Sequence, residues 1–89
     1  MTSRWGVISS AYLRMRTDPD ISSKAAATLW KGYILEIISR NSAKKIVDGA
    51  GGYWYQASYR GLQGWVFSAY LKFFDTRDEA ERYSRELRR

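Results

Sequence analysis

Hydrophobic and polar residues alternate along much of this chain, a pattern typical of short β-strands that bury one face and expose the other. The alternation is clearest in Leu13-Arg14-Met15-Arg16, where each apolar residue is followed by a charged one. Further runs are rich in β-branched and aromatic residues, which favour strands. We therefore predict strands over residues 5–8, 11–16, 25–30, 33–39, 53–59, 65–67 and 72–74.

Turn-forming residues separate these predicted strands. Asp18-Pro19-Asp20 interrupts the chain after the second strand, and Arg60-Gly61 and Gly64 predict turns after the 53–59 strand. Residues 41–52 form the one long predicted loop, with glycine at three of its last four positions. Ile46 and Val47 in this loop either extend the flanking hairpin or cap one end of the fold. Its two lysines either contact a partner or are simply solvated.

A different pattern marks the C-terminus, where a helix is predicted from Arg77 to about Arg88. Thr76 and Glu79 have the spacing of a capping box, in which each side chain accepts a hydrogen bond from the other residue's backbone. Ala80 lies on a narrow apolar stripe along this helix. Because a helix of this length is marginally stable alone, we expect the stripe to dock on the strands or on a partner.

Many short strands followed by one helix predict a mainly β fold. We expect a small five- to seven-stranded barrel over residues 1–74 and an amphipathic helix over residues 75–89. A chain of 89 residues is long enough for one such domain. Burial of large aromatic side chains can stabilise its core, since the chain has four tryptophans, seven tyrosines and three phenylalanines.

The composition argues against catalysis. Cysteine and histidine are both absent, so disulfides, cysteine-based zinc sites and the usual catalytic triads are excluded. No glycine run is followed by the Lys-Ser or Lys-Thr of a phosphate-binding loop. Asp18 and Asp20 flank Pro19, but two carboxylates fall short of a calcium loop. We expect no enzymatic activity, no bound metal and no cofactor.

Positive charge is concentrated in the predicted barrel. The formal net charge is +6, and from Asp75 onward five acids balance five bases, so residues 1–74 carry the whole excess. A basic barrel favours an anionic partner such as a wall polymer, an acidic protein face, a membrane surface or nucleic acid, although the charge also promotes solubility. Nucleic acid is the less favoured partner because the bases are scattered and no RNA-binding motif is present.

The chain also lacks targeting features. No apolar run approaches the roughly 20 residues of a membrane span, and residues 1–4 lead into a strand without the apolar region of a signal peptide. We therefore expect either a cytoplasmic protein or the mature or excised part of an exported one.

Several short motifs follow one another in a fixed order along the chain. They are Leu13-Arg14-Met15-Arg16, Asp18-Pro19-Asp20, Ser22-Ser23-Lys24, Thr28-Leu29-Trp30-Lys31-Gly32, Tyr33-Ile34-Leu35-Glu36-Ile37, Trp54-Tyr55-Gln56-Ala57, Gly61 with Gly64-Trp65-Val66, and Ser68-Ala69-Tyr70-Leu71. This ordered set resembles the bacterial Src-homology-3-like domain family, and the resemblance covers about residues 7–72. The chain departs from the family pattern at Met15, Asp18 and Gln56-Ala57, and its 41–52 loop is longer than is typical.

The resemblance implies a binding module without catalytic chemistry. Such domains are usually part of exported bacterial proteins and are taken to bind peptidoglycan peptides or other proteins. On this basis we expect a cell-envelope location, periplasmic or secreted, and a cell-wall peptide or protein partner. A structural role, in which the C-terminal helix docks the domain into an envelope assembly, is the alternative.

Aromatic residues supply the candidate binding site. Tyr12 should point away from the core because Leu13 points inward, and we interpret Trp54 as partly exposed because the polar Gln56 shares its strand face. Tyr70 matches a family position that often lines a groove. We predict a groove lined by these three aromatic residues, which suits extended peptides, unless the rings merely seal the ends of the barrel. We assign Trp65 to the core, and the predicted rim comprises Tyr53, Asp18 and Asp20.

Overall fold

A computed structural model of the protein describes residues 4–88, which form nine β-strands, one short 3₁₀ helix and one α-helix. The elements, in chain order, are β1 (Trp5–Ile8), β2 (Tyr12–Arg16), β3 (Ala25–Trp30), β4 (Ile34–Arg40), β5 (Lys45–Val47), β6 (Ala50–Gly52), β7 (Trp54–Tyr59), β8 (Leu62–Phe67), the 3₁₀ helix (Ser68–Tyr70), β9 (Leu71–Phe74) and α1 (Arg77–Leu87).

Seven of the strands form one antiparallel sheet in the order β3-β2-β8-β7-β4-β1-β9, while β5 and β6 pair separately as a hairpin. The seven-stranded sheet encloses one hydrophobic core, to which every one of its strands contributes. The predicted mainly β fold with one helix is therefore confirmed. The core residues are Ile8, Leu13, Met15, Leu29, Leu35, Ile37, Ala57, Val66 and Leu71.

Gly64 lies inside β8, so the prediction of a turn there is wrong. It pairs with Ala57 of β7, and the hairpin turn consists of Arg60-Gly61 alone. A Cβ atom at Gly64 would stand 2.8 Å from the backbone oxygen of Arg16 on β2. Glycine is needed here because β2 passes too close for any side chain, not because the chain reverses.

The predicted 41–52 loop contains the β5–β6 hairpin, which corrects that prediction. Asp48 and Gly49 have φ angles of 51° and 81°, as in the two-residue turns that match the twist of paired strands. Val47 and Ala50 pair across this turn. The hairpin leaves Ile46 76% exposed and buries Val47.

The C-terminal helix begins with the predicted capping box. The Glu79 backbone N–H donates to Thr76 Oγ1 at 3.2 Å, and the Thr76 N–H donates to the Glu79 carboxylate at 3.3 Å. These bonds satisfy backbone donors that have no partner within the first helical turn. The cap thereby fixes where the chain turns from β9 into α1.

Helix α1 contacts β1, β4 and β9. Ala80 and Ser84, one turn apart, are its buried residues, and Tyr83 packs its ring on Phe74 of β9 at 5.2 Å between centroids. The Ser84 hydroxyl donates to the carbonyl oxygen of Gly32 at 2.5 Å. Within residues 4–88, no helix has the length and apolar character needed to cross a membrane.

Candidate ligand-binding cleft

An open cleft of about 570 Å³ lies among β2, the β2–β3 loop, the β5–β6 hairpin and the 3₁₀ helix. Its volume falls within the range of small-molecule binding sites. The cleft combines apolar and aromatic side chains with charged ones. Its lining residues are Ser10, Ala11, Tyr12, Leu13, Arg14, Arg16, Ile21, Val47, Asp48, Trp54, Phe67 and Tyr70.

A second, smaller hydrophobic cluster forms the base of the cleft. Trp54 packs edge-on against Phe67, with ring centroids 5.3 Å apart and planes at 63°. Val47 of the hairpin completes the buried part of this cluster, and Tyr70 and Trp65 pack on it from outside. Aromatic rings in this arrangement gain energy from their edge-to-face geometry as well as from burial.

Two expectations about tryptophans are wrong. Trp54, expected to be partly exposed, is only 5% exposed, while Trp65, expected in the core, is half-buried at the edge of the second cluster. The burial of Trp54 is explained by the β5–β6 hairpin, which places Val47 against the side of Trp54 that strand alternation left facing outward. Trp54 still lines the cleft, but as part of its buried base.

One wall of the cleft is the outward face of β2. Leu13 and Met15 point into the core, so Tyr12, Arg14 and Arg16 share the opposite face and all line the cleft. Tyr12 is 52% exposed. Its ring lies 6.0 Å from that of Trp30, its pairing partner on β3.

The β2–β3 loop is ordered by local hydrogen bonds. Ser23 Oγ donates to the backbone oxygens of Asp18 and Asp20, at 3.1 Å and 2.7 Å. Asp20 Oδ1 accepts from the Ser22 backbone N–H at 3.0 Å. Hydrogen bonds from the Ser22 backbone and side chain, with the positive charge of Lys45 on β5, lower the pKa of Asp20 against a smaller opposing effect of burial.

The cleft brings together three of the six predicted site residues, Tyr12, Trp54 and Tyr70. Asp18 and Asp20 are not among the residues that line it, and neither is Tyr53. Tyr53 instead stacks under the Arg40 guanidinium at 4.4 Å, and its backbone N–H donates to Ser68 Oγ.

The sequence prediction missed the charged residues of the cleft and those of the hairpin. Arg14 and Arg16 could have been found, because strand alternation puts them on the same face as Tyr12. Asp48 and Val47 could also have been found, since an Asp-Gly pair between short apolar segments is a strong hairpin signal. Ile21, in the β2–β3 loop, carries no such signal.

Comparison with known families agrees with this architecture. A family model described as bacterial SH3 domain matches residues 11–72, well over half of the chain. The chain therefore belongs to the bacterial SH3 domain family, a class of generally non-catalytic binding modules, and the resemblance seen in the sequence is confirmed. No curated protein and no solved structure matches the chain. The matched range contains β2, the hairpin and the 3₁₀ helix that surround the cleft, while helix α1 lies outside it.

Proposed function

We propose that the protein binds an extended peptide in this cleft, without catalysis. The observation that carries the proposal is the aromatic composition of one open cleft, with Trp54 buried at its base and Tyr12 and Tyr70 beside it. Aromatic side chains of this kind hold extended chains by stacking and apolar contact, and tyrosine hydroxyls add hydrogen bonds. Their rigidity also limits the conformational entropy that binding costs.

Two sources of such a peptide fit a module of this class. One is a peptide of the peptidoglycan layer, and the other is an extended segment of a partner protein. Both present backbone amides and alternating side chains, so the same cleft chemistry serves either. Membership in the bacterial SH3 family supports a cell-envelope location for both.

The test uses the tryptophan indole N–H signals of the ¹⁵N-labelled 89-residue chain. Trp54 lies in the cleft, whereas Trp5 on β1 stacks with Arg77 of α1 at 5.3 Å and serves as the internal control. A pool of neutral, end-blocked seven-residue peptides is titrated in. In parallel, the protein is sedimented with purified peptidoglycan.

Each outcome has a defined meaning. Peptidoglycan retention that Tyr12→Ala weakens supports a wall peptide. Shifts of the Trp54 signal by the peptide pool, without retention on peptidoglycan, support a protein segment. Absence of both effects, or equal shifts at Trp5 and Trp54, contradicts the proposal.

A further inference from the structure

We propose that Arg14 and Arg16 make this cleft selective for peptides that carry a carboxylate. The inference rests on the proposed peptide-binding function and goes further by naming the charge that the cleft selects. Both arginines lie on the β2 wall and line the cleft together with Tyr12.

The spacing along β2 suits an extended ligand. Tyr12, Arg14 and Arg16 are each two residues apart on one face of the strand, which places their Cα atoms about 7 Å apart. An extended peptide repeats its own side chains at the same interval. If a peptide residue packs on Tyr12, the peptide residue two positions along therefore lies beside Arg14, and the one four positions along lies beside Arg16.

Arg16 is positioned to accept a carboxylate. One of its terminal nitrogens donates to the Ser23 backbone oxygen at 3.0 Å, and its side chain is half-buried. A guanidinium has five N–H donors, so this bond orients the group and leaves donors for a ligand. Arginine pairs with carboxylates through two parallel hydrogen bonds, which gives such a site geometric selectivity.

Among the described residues 4–88, neither arginine forms a salt bridge with an acidic side chain. Within residues 4–88, the salt bridge found joins Arg77 to Glu81, on the helix and away from the cleft. Asp20 in the nearby loop is engaged by the Ser22 backbone. The charged groups lining the cleft are the two arginines and Asp48, so positive charge is in excess there. In a partly desolvated cleft this excess favours an acidic ligand over a neutral one.

The experiment compares two pools of end-blocked seven-residue peptides that differ only at the central position, glutamate in one and glutamine in the other. Binding to the 89-residue chain is followed by the Trp54 indole signal. We expect the glutamate pool to bind about tenfold more tightly, which corresponds to about 1.4 kcal/mol. The preference for glutamate over glutamine, measured as the ratio of the two affinities, should fall below about twofold in the Arg14→Gln/Arg16→Gln variant.

The control is Arg82→Gln, which removes the same charge from an exposed position on α1 and should keep the preference. If the double variant does not fold, Arg14→Gln alone, at an exposed position, should reduce the preference at least threefold. Equal binding of both pools in the wild type overturns carboxylate selection while leaving peptide binding intact. Failure of both pools to shift Trp54 contradicts the proposed function itself. A single-stranded oligonucleotide that shifts Trp54 at lower concentration than the glutamate pool also overturns the inference.

Discussion

Ser84 on the C-terminal helix and Gly32 in the β3–β4 turn, 52 residues apart in sequence, are joined by a hydrogen bond between the serine hydroxyl and the glycine carbonyl oxygen. Ser84 is only 1% exposed. A buried polar group is costly unless it has a partner, and here each group satisfies the other. The bond therefore ties a helix outside the matched family range to a turn of the barrel.

Removing this hydroxyl should destabilise the whole domain. Ser84→Ala leaves the Gly32 carbonyl without its partner, which we expect to cost about 1–3 kcal/mol in the free energy of unfolding. Urea denaturation followed by tryptophan fluorescence measures the loss. Ser42→Ala, at an exposed loop position, is the control and should leave stability unchanged. Equal midpoints for the two variants would show that the helix contributes no stability through this bond.

Trp54 should be essential to stability. Trp54→Ala removes the largest side chain of the cluster at the base of the cleft, and we expect it to lower the free energy of unfolding by about 3–5 kcal/mol. The matched control is Trp30→Ala on β3, where the side chain is 53% exposed and the loss of stability should be smaller. Thermal melts of both variants give the comparison. A Trp54→Ala protein as stable as Trp30→Ala would contradict the packing described for the cleft.

Strand alternation predicted most of the fold but not the environment of Trp54. Alternation correctly predicted that Leu13 and Met15 are buried while Tyr12 and Arg14 are exposed. It also placed Trp54 on the face opposite the main core. What it could not show is that this face is covered by a hairpin from a segment predicted to be a loop. The burial of Trp54 depends on Val47, which lies on another strand, β5, so the alternation of residues along β7 carries no information about it.

The cleft was harder to predict than the barrel for the same reason. A core residue follows from the period of its own strand, but a cleft depends on where separate segments of the chain meet. Asp20 lies in the β2–β3 loop and Lys45 on β5 of the hairpin, and only the folded structure brings the charge of Lys45 close enough to affect Asp20. The six predicted site residues consequently divide by element. Tyr12 and Trp54 on strands and Tyr70 on the 3₁₀ helix line the cleft. Asp18 and Asp20 on the β2–β3 loop, and Tyr53 between β6 and β7, do not.

The close approach of β2 and β8 can be tested by substituting alanine for each of two glycines. Gly64→Ala puts a Cβ 2.8 Å from the Arg16 carbonyl oxygen, a backbone atom that cannot move without disturbing β2. We expect a loss of about 1–3 kcal/mol in the free energy of unfolding by urea denaturation. Gly51→Ala is the matched control, since the nearest atom to its Cβ is the flexible end of Lys44 at 3.5 Å. Similar losses for both variants would argue against steric contact as the reason for glycine at position 64.

The β2–β3 loop should respond to acid through Asp20. Hydrogen bonds from Ser22 lower the pKa of this carboxyl in the folded protein. Its contribution to stability is therefore present above the pKa of the unfolded chain and lost as the pH falls through the lower folded pKa. Carboxyl ¹³C NMR from about pH 6 to about pH 2 should show Asp20 titrating below its ordinary value. Ser22→Ala removes the side-chain bond but keeps the backbone N–H, so it should raise that midpoint only part of the way, and Ser42→Ala should not raise it. A midpoint at the ordinary value in the wild type would refute the role of these bonds.

Tyr12 offers the cleanest separation of binding from folding. Because half of its surface is exposed beside the cleft, Tyr12→Ala should cost little stability. If the ring contacts a peptide, its loss should weaken binding at least about tenfold, as for other aromatic anchors of interfaces. Ile38→Ala removes a comparably exposed apolar side chain from β4, outside the cleft, and should leave binding unchanged. Affinities for the peptide pools, measured by the Trp54 signal alongside thermal melts, decide the matter. If both variants weaken binding equally, the effect is not specific to Tyr12. If Tyr12→Ala leaves binding unchanged, the Tyr12 ring does not contact the peptide.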